Sequence, residues 1–149
     1  MAQTYFGSAL RSGSGTLTDT TDGGFVVLMQ TSTVTTAAAG TATSTSVVIP
    51  EDSQIIDIII DQVQNEVVGA GTATAINATV GTAAAGTQYV SATDVIGGGR
   101  AALTFTAAQL AAMADVGSNT SVFLTVAPDG TIVTTQGIYR LTVVYAQKG

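Results

Sequence analysis

The stretch VVIPEDSQIIDIIIDQV, Val47 to Val63, decides the fold, because it is the most apolar and β-branched run in the chain. Read at period two, Ile56, Ile58 and Ile60 fall on one side, and Ile55, Asp57, Ile59, Asp61 and Val63 on the other. Two carboxylates on one face and none on the other predict a strand with a dry side and a wetter side. Ile56, Ile58 and Ile60 are therefore expected at the centre of a β core. Pro50-Glu51-Asp52-Ser53 predicts a turn, since Pro fixes φ and Asp and Ser bond the local backbone.

Working upstream, Phe25 to Val34 (FVVLMQTSTV) reads as a strand, and the Thr/Ala-rich run from Thr31 to Ser46 as strand, turn and strand. Its Ala triplet favours helix, but the flanking Thr and Gly oppose it. Downstream, residues 72–80 predict a strand with Thr72, Thr74, Ile76, Ala78 and Val80 on one face. Gln88 to Val95 predicts another, anchored by Tyr89 and broken by Gly97-Gly98-Gly99, and Ala101 to Phe105 a short strand or extended link. Thr106 to Asp115 is the one helix candidate: Thr106 caps it, Gln109 sits three residues on, and Leu110, Met113 and Ala114 form the apolar stripe. Ser121 to Ala127 and Thr131 to Thr135 read as a hairpin turned at Pro128-Asp129-Gly130, because Gly accepts positive φ. Ile138 to Gln147 closes the chain with Tyr139, Leu141, Val143 and Tyr145 on one face. Leu124 and Val126 join these residues in the expected core. The motif TAAAGT occurs at Thr36–Thr41 and again at Thr82–Thr87, each copy an Ala-rich turn.

Eight or nine short strands and one small helix predict an all-β, antiparallel β-sandwich of jelly-roll type. The expected division is an N-terminal arm or tail over residues 1–24 and a β-sandwich over 25–149. In the arm, Tyr5, Phe6 and Leu10 are large apolar groups in a segment otherwise rich in Gly, Ser, Thr and Asp. They are expected to bind a partner, with Arg11 adding an ion pair.

Only 9% of the 149 residues are charged, against about 25% in ordinary globular proteins. No apolar run approaches the ~20 residues of a membrane helix. The net charge is −6, and the cations are Arg11, Arg100, Arg140 and Lys148. Four scattered cations do not make the basic footprint that direct nucleic-acid binding needs. The absence of Cys and His removes disulfides, thiolate chemistry, a serine–histidine triad and the usual zinc or copper ligands. Asp57 and Asp61, four residues apart on one strand, lie about 13 Å apart, too far for paired acid–base work. The three-Gly run before Arg100 lacks the strand-to-helix phosphate signature. The expectation is a non-enzymatic protein with no cofactor and no metal. The start of the sequence lacks the apolar core of a secretory signal, so the chain is expected to be made in a cytoplasm.

The order of segments resembles one known group. An apolar strand (GGFVVLMQT) is followed by VVIPEDSQIIDIIIDQV, then VGTAAAGTQYVSATDV, GRAALTFTAAQLAAM and GIYRLTVVYAQ. This pattern resembles small virion proteins of tailed bacteriophages, the capsid decoration or cement proteins, over about Gly24 to Gln147. The resemblance implies a jelly-roll domain, a homotrimer, and a location on the outer capsid surface of the virion. There it would bridge major capsid protein subunits. Its rivals are a head-fibre base or tail-associated β module, and a carbohydrate-binding or adhesin-like β-sandwich.

Overall fold

The computed structural model describes residues 26–147. Its strands are β1 (Val26–Thr35), β2 (Thr43–Ile49), β3 (Ser53–Gln64), β4 (Ile76–Gly81), β5 (Val90–Asp94), β6 (Gly99–Arg100), β7 (Thr120–Pro128) and β8 (Ile138–Gln147), with helix α1 (Ala107–Ala114) between β6 and β7. They form two four-stranded sheets, ordered β1-β8-β3-β6 and β2-β7-β4-β5. All pairings are antiparallel, and β1 meets β8, β2 meets β7, β3 meets β6 and β4 meets β5. The chain is thus one long hairpin of four strand pairs, rolled so that β8 also pairs β3 and β7 also pairs β4. That rolled double sheet is the jelly roll, and the expected all-β sandwich is what the chain forms.

Alternation explains the core. Tyr139, Leu141 and Val143 of β8, Ile76, Ala78 and Val80 of β4, and Leu124 and Val126 of β7 are fully buried between the sheets, and Tyr145 nearly so. Ile58 and Ile60 of β3 join them, as expected. Ile56 does not: it is 49% exposed, whereas Ile55 is 2% exposed. The cause is a β-bulge. Ile55 pairs with Tyr145 and Asp57 with Val144, so Ile56 is an extra residue without its own partner. A bulge puts two successive residues opposite one and resets the alternation. Inward positions are therefore odd before it and even after it. Asp57 Oδ1 accepts the amide of Ile58 at 2.8 Å and fixes the step.

The helix begins where the sequence places it. Gln109 N–H donates to Thr106 Oγ1 at 3.3 Å, and Gln109 Oε1 accepts from Thr106 N–H at 2.8 Å. Its buried face differs from expectation: Met113 and Gln109 are buried, and Leu110 is exposed. Gln109 earns burial by bonding Thr87 O and Ser91 Oγ on the sandwich.

Two expected strands are shorter or missing: residues 72–75 are not strand, and residues 131–134 are loop, with an isolated bridge from Thr135 to Val67. Of the two alternatives for residues 101–105, the link is what forms. Pro128-Asp129-Gly130 turns no hairpin, because β7 and β8 lie in different sheets. Asp129 instead caps the segment before β4, accepting from Thr74 N–H at 2.7 Å and Ala75 N–H at 3.0 Å. The TAAAGT copies do form matching turns, with Gly40 N–H bonded to Ala37 O and Gly86 N–H to Ala83 O. Positive φ falls at Gly40 in the first copy and at Ala85 in the second.

Candidate docking face

The outer surface of the β1-β8-β3-β6 sheet combines apolar and charged groups in one plane. Register assigns its rows. Val27 lies opposite Ala146, which lies opposite Gln54; Met29 lies opposite Val144, which faces the Ile56–Asp57 bulge. The next row is Thr31, Thr142 and Ile59, and the next is Thr33, Arg140, Asp61 and Arg100. Met29 is 69% exposed and Val27 57%. With Ile56 they make the apolar end of the face. The bulge builds that end: without the extra residue, Ile56 would turn inward.

The other end is cationic. Arg140 Nη2 donates to Asp61 Oδ2 at 2.9 Å and Arg100 Nε to Asp61 Oδ1 at 3.0 Å. Three chain segments meet in this cluster, which carries two positive charges on one negative. The guanidiniums of Arg140 and Arg100 hold the Asp61 carboxyl below its ordinary value, against the desolvation that raises it. Arg11 and Lys148 lie outside the described residues, so Arg100 and Arg140 are all the described cations. Gly97, Gly98 and Gly99 all have positive φ and lead the chain back to β3, which delivers Arg100 to Asp61. The run's role here is to place that ion pair.

Other carboxylates serve the fold. Asp94 accepts the amides of Ile76 and Ile96, and Asp115 accepts that of Gly117. Glu66 Oε2 accepts from the Tyr139 hydroxyl at 2.9 Å and from Gln62 Nε2. Burial, and then Glu66, push the Tyr139 phenol far above its ordinary value. Asp57 and Asp61 have separate partners and do not form a pair. Among the described residues no group of three or more acidic side chains is placed to hold a metal ion. No helix among them is long and apolar enough to cross a membrane.

The sequence-predicted partner residues Tyr5, Phe6, Leu10 and Arg11 lie outside the described residues. Sequence reading missed the face itself, since period two placed Ile56 in the core. The signal that bears on it is Ile55-Ile56-Asp57: two adjacent isoleucines followed by an Asp able to bond the next backbone amide. The chain matches no family model, and it has no significant match to a curated protein or to a solved structure.

Proposed function

We propose that this chain is a non-enzymatic capsid decoration protein of a tailed bacteriophage. It docks on the outer capsid surface through the β1-β8-β3-β6 face and bridges major capsid protein subunits as a homotrimer. The observation that carries the reading is that face: an exposed apolar end next to a paired-Arg end, on a jelly-roll domain whose other described charges are acidic. Met and Arg are enriched at protein interfaces, and Lys and Glu are depleted there. The sequence order that resembles decoration proteins supplies the identity of the partner.

A carbohydrate-binding role needs an exposed aromatic platform. Among the described aromatics, Tyr89, Tyr139 and Tyr145 are buried, and Phe105 and Phe123 are half-buried. A head-fibre base or tail-associated module would use the same face against a different virion protein.

The test is co-sedimentation with undecorated capsids. Parent protein is expected to pellet with shells, and Met29→Asp/Ile56→Asp to lose most of that binding while keeping the parent's circular dichroism. Equal decoration by the double variant removes the face from the reading. Failure of the parent to bind any capsid, with binding to isolated tails, moves the role to the tail. Light scattering of the free and shell-bound protein tests the trimer.

A further inference from the structure

Gln62 closes the core at the end of β3, and one of its two polar side-chain atoms lacks a bond. The residue is 9% exposed and lies opposite Tyr139 in the sheet. Gln62 Nε2 donates to the Tyr139 hydroxyl at 3.0 Å and to Glu66 Oε2, and that hydroxyl donates to Glu66 Oε2 at 2.9 Å. These acceptors fix which end of the amide is nitrogen, because a carbonyl oxygen turned the same way would face a carboxylate. Gln62 Oε1 therefore points away from Glu66, buried and without a hydrogen-bond donor among the described residues. A buried carbonyl oxygen in that position requires a partner, and a cation is one that accepts it directly.

Oε1 faces the Gly97-Gly98-Gly99 turn. A Cβ on Gly98 would lie 3.5 Å from Gln62 Oε1 and 3.1 Å from Asn65 Oδ1, so the two amide oxygens flank the space that the glycine leaves open. Asn65 and Glu66 come back beside Gln62 because the β3 register slips between Gln62 and Gln64, where the strand ends. We propose that this space, between Gln62, Asn65 and Gly98, binds a calcium ion. Gln62 Oε1 and Asn65 Oδ1 are its protein ligands, the Glu66 carboxylate behind Gln62 supplies negative charge, and water completes the shell.

The donor set selects the ion. Oxygen ligands without nitrogen or sulfur suit a hard cation. Calcium accepts amide carbonyls and water in an irregular shell, whereas magnesium demands a near-ideal octahedron and dehydrates reluctantly. A single nearby carboxylate makes the site weak, with Kd on the order of 10⁻⁴–10⁻³ M. The ion has a structural consequence as well. Gln62 pairs with Gly99 and Asp61 with Arg100, so calcium ties the turn that carries Arg100 to the end of β3. Its bearing on docking rests on the docking-face reading, but the site does not, and its test needs no capsid.

The full-length protein, stripped with a chelator, is titrated with calcium chloride by calorimetry. Saturable binding in the stated range is expected, with Tm rising over the same concentrations and magnesium binding more weakly. The Gln62 side-chain amide signal in NMR spectra is expected to shift in step with the titration. Asn65 is exposed and outside the Tyr139 network, so Asn65→Ala is expected to weaken binding at least tenfold while keeping the parent's Tm in chelator. Glu51→Gln, which removes a charge from the exposed turn before β3, is expected to bind as the parent does. Several results overturn the proposal. One is no saturable binding up to about 10 mM calcium, well above the expected Kd, which leaves water as the partner of Oε1. Others are parent-like affinity in Asn65→Ala, an unmoved Gln62 signal, or magnesium binding as tight as calcium. An equal loss in Glu51→Gln also overturns it, since diffuse attraction to a chain of net charge −6 would then explain the binding.

Discussion

Ile55→Ala and Ile56→Ala are adjacent, chemically identical substitutions with opposite expected outcomes. Ile55 is 2% exposed and inward, opposite Tyr145; Ile56 is 49% exposed and outward. Removing a buried Ile side chain to Ala costs about 2–5 kcal/mol, the lost transfer energy plus the cavity left behind. For a domain of this size each kcal/mol moves Tm by roughly 3–5 °C. Ile55→Ala is therefore expected to lower Tm by about 10–20 °C. Ile56→Ala, on the surface, is expected to cost about 1 kcal/mol or less, a shift of at most ~5 °C. Thermal unfolding followed by far-ultraviolet circular dichroism reads both. An ideal strand through this segment predicts the reverse order, because Ile56 would then share the inward face with Ile58 and Ile60. Equal losses, or a larger loss for Ile56→Ala, would refute the bulge and with it the apolar end of the docking face.

Tyr139→Phe removes the hydroxyl that bonds Glu66 and Gln62; it is expected to cost about 1–3 kcal/mol in urea unfolding, and no loss means the network contributes nothing to stability. Gln109→Ala removes the helix capping box and the bonds to Thr87 and Ser91; a loss of about 1–2 kcal/mol is expected, and a variant as stable as the parent shows that α1 is not held by this side chain. Asp61 and Asp129 both titrate below the ordinary value of 3.8, Asp61 through Arg140 and Arg100 and Asp129 through bonds from Thr74 and Ala75. A depressed folded pKa gives stability that is present above the unfolded value and lost as pH falls through the folded one. Tm is thus expected to be flat from pH 7 to about 5 and to fall below about pH 4. Asp61→Asn should make that acid slope shallower, and an unchanged slope would mean the two Arg contacts do not bias the carboxyl.

Local signals in the chain were legible and non-local ones were not. The capping box of Thr106 and Gln109 lies within four residues, so it could be read directly. The buried side of that helix could not, because Gln109 is buried through Thr87 and Ser91, which sequence places 22 and 18 residues away. Alternation identified Tyr139, Leu141, Val143 and Tyr145 as one inward face because β8 has no bulge in its pairing with β1. It failed at Ile56, where one inserted residue reverses the face of everything before it. Pro128-Asp129-Gly130 carries good turn chemistry, yet in a rolled hairpin the next strand goes to the other sheet. Asp129 then serves backbone amides more than fifty residues away. The cationic end of the face was equally hidden, since Arg100 and Asp61 are 39 residues apart and Arg140 and Asp61 are 79 apart.

The distribution of charge gives the domain a direction. Asp57, Asp94, Asp115 and Asp129 each bind backbone amides, so their negative charge is fixed on the bulge, at the end of β5 and on the segments that flank the strands. The described cations sit together on one sheet face, both on Asp61. An exposed pair of this kind adds little to stability, and its larger effect is on encounter. If the proposed docking is right, one positive end among the described, otherwise acidic charges would orient the domain toward an acidic partner surface before contact. The adjoining apolar end would then supply the contact that persists, because it is not screened by salt. Binding through this face should therefore slow in association as ionic strength rises while dissociation changes little. Neutralising the pair with Arg100→Gln/Arg140→Gln should remove most of the salt dependence of association on shells and spare the apolar contact. A dissociation rate that rises with salt as steeply as association falls would place the ion pairs, rather than Val27, Met29 and Ile56, at the centre of the interface.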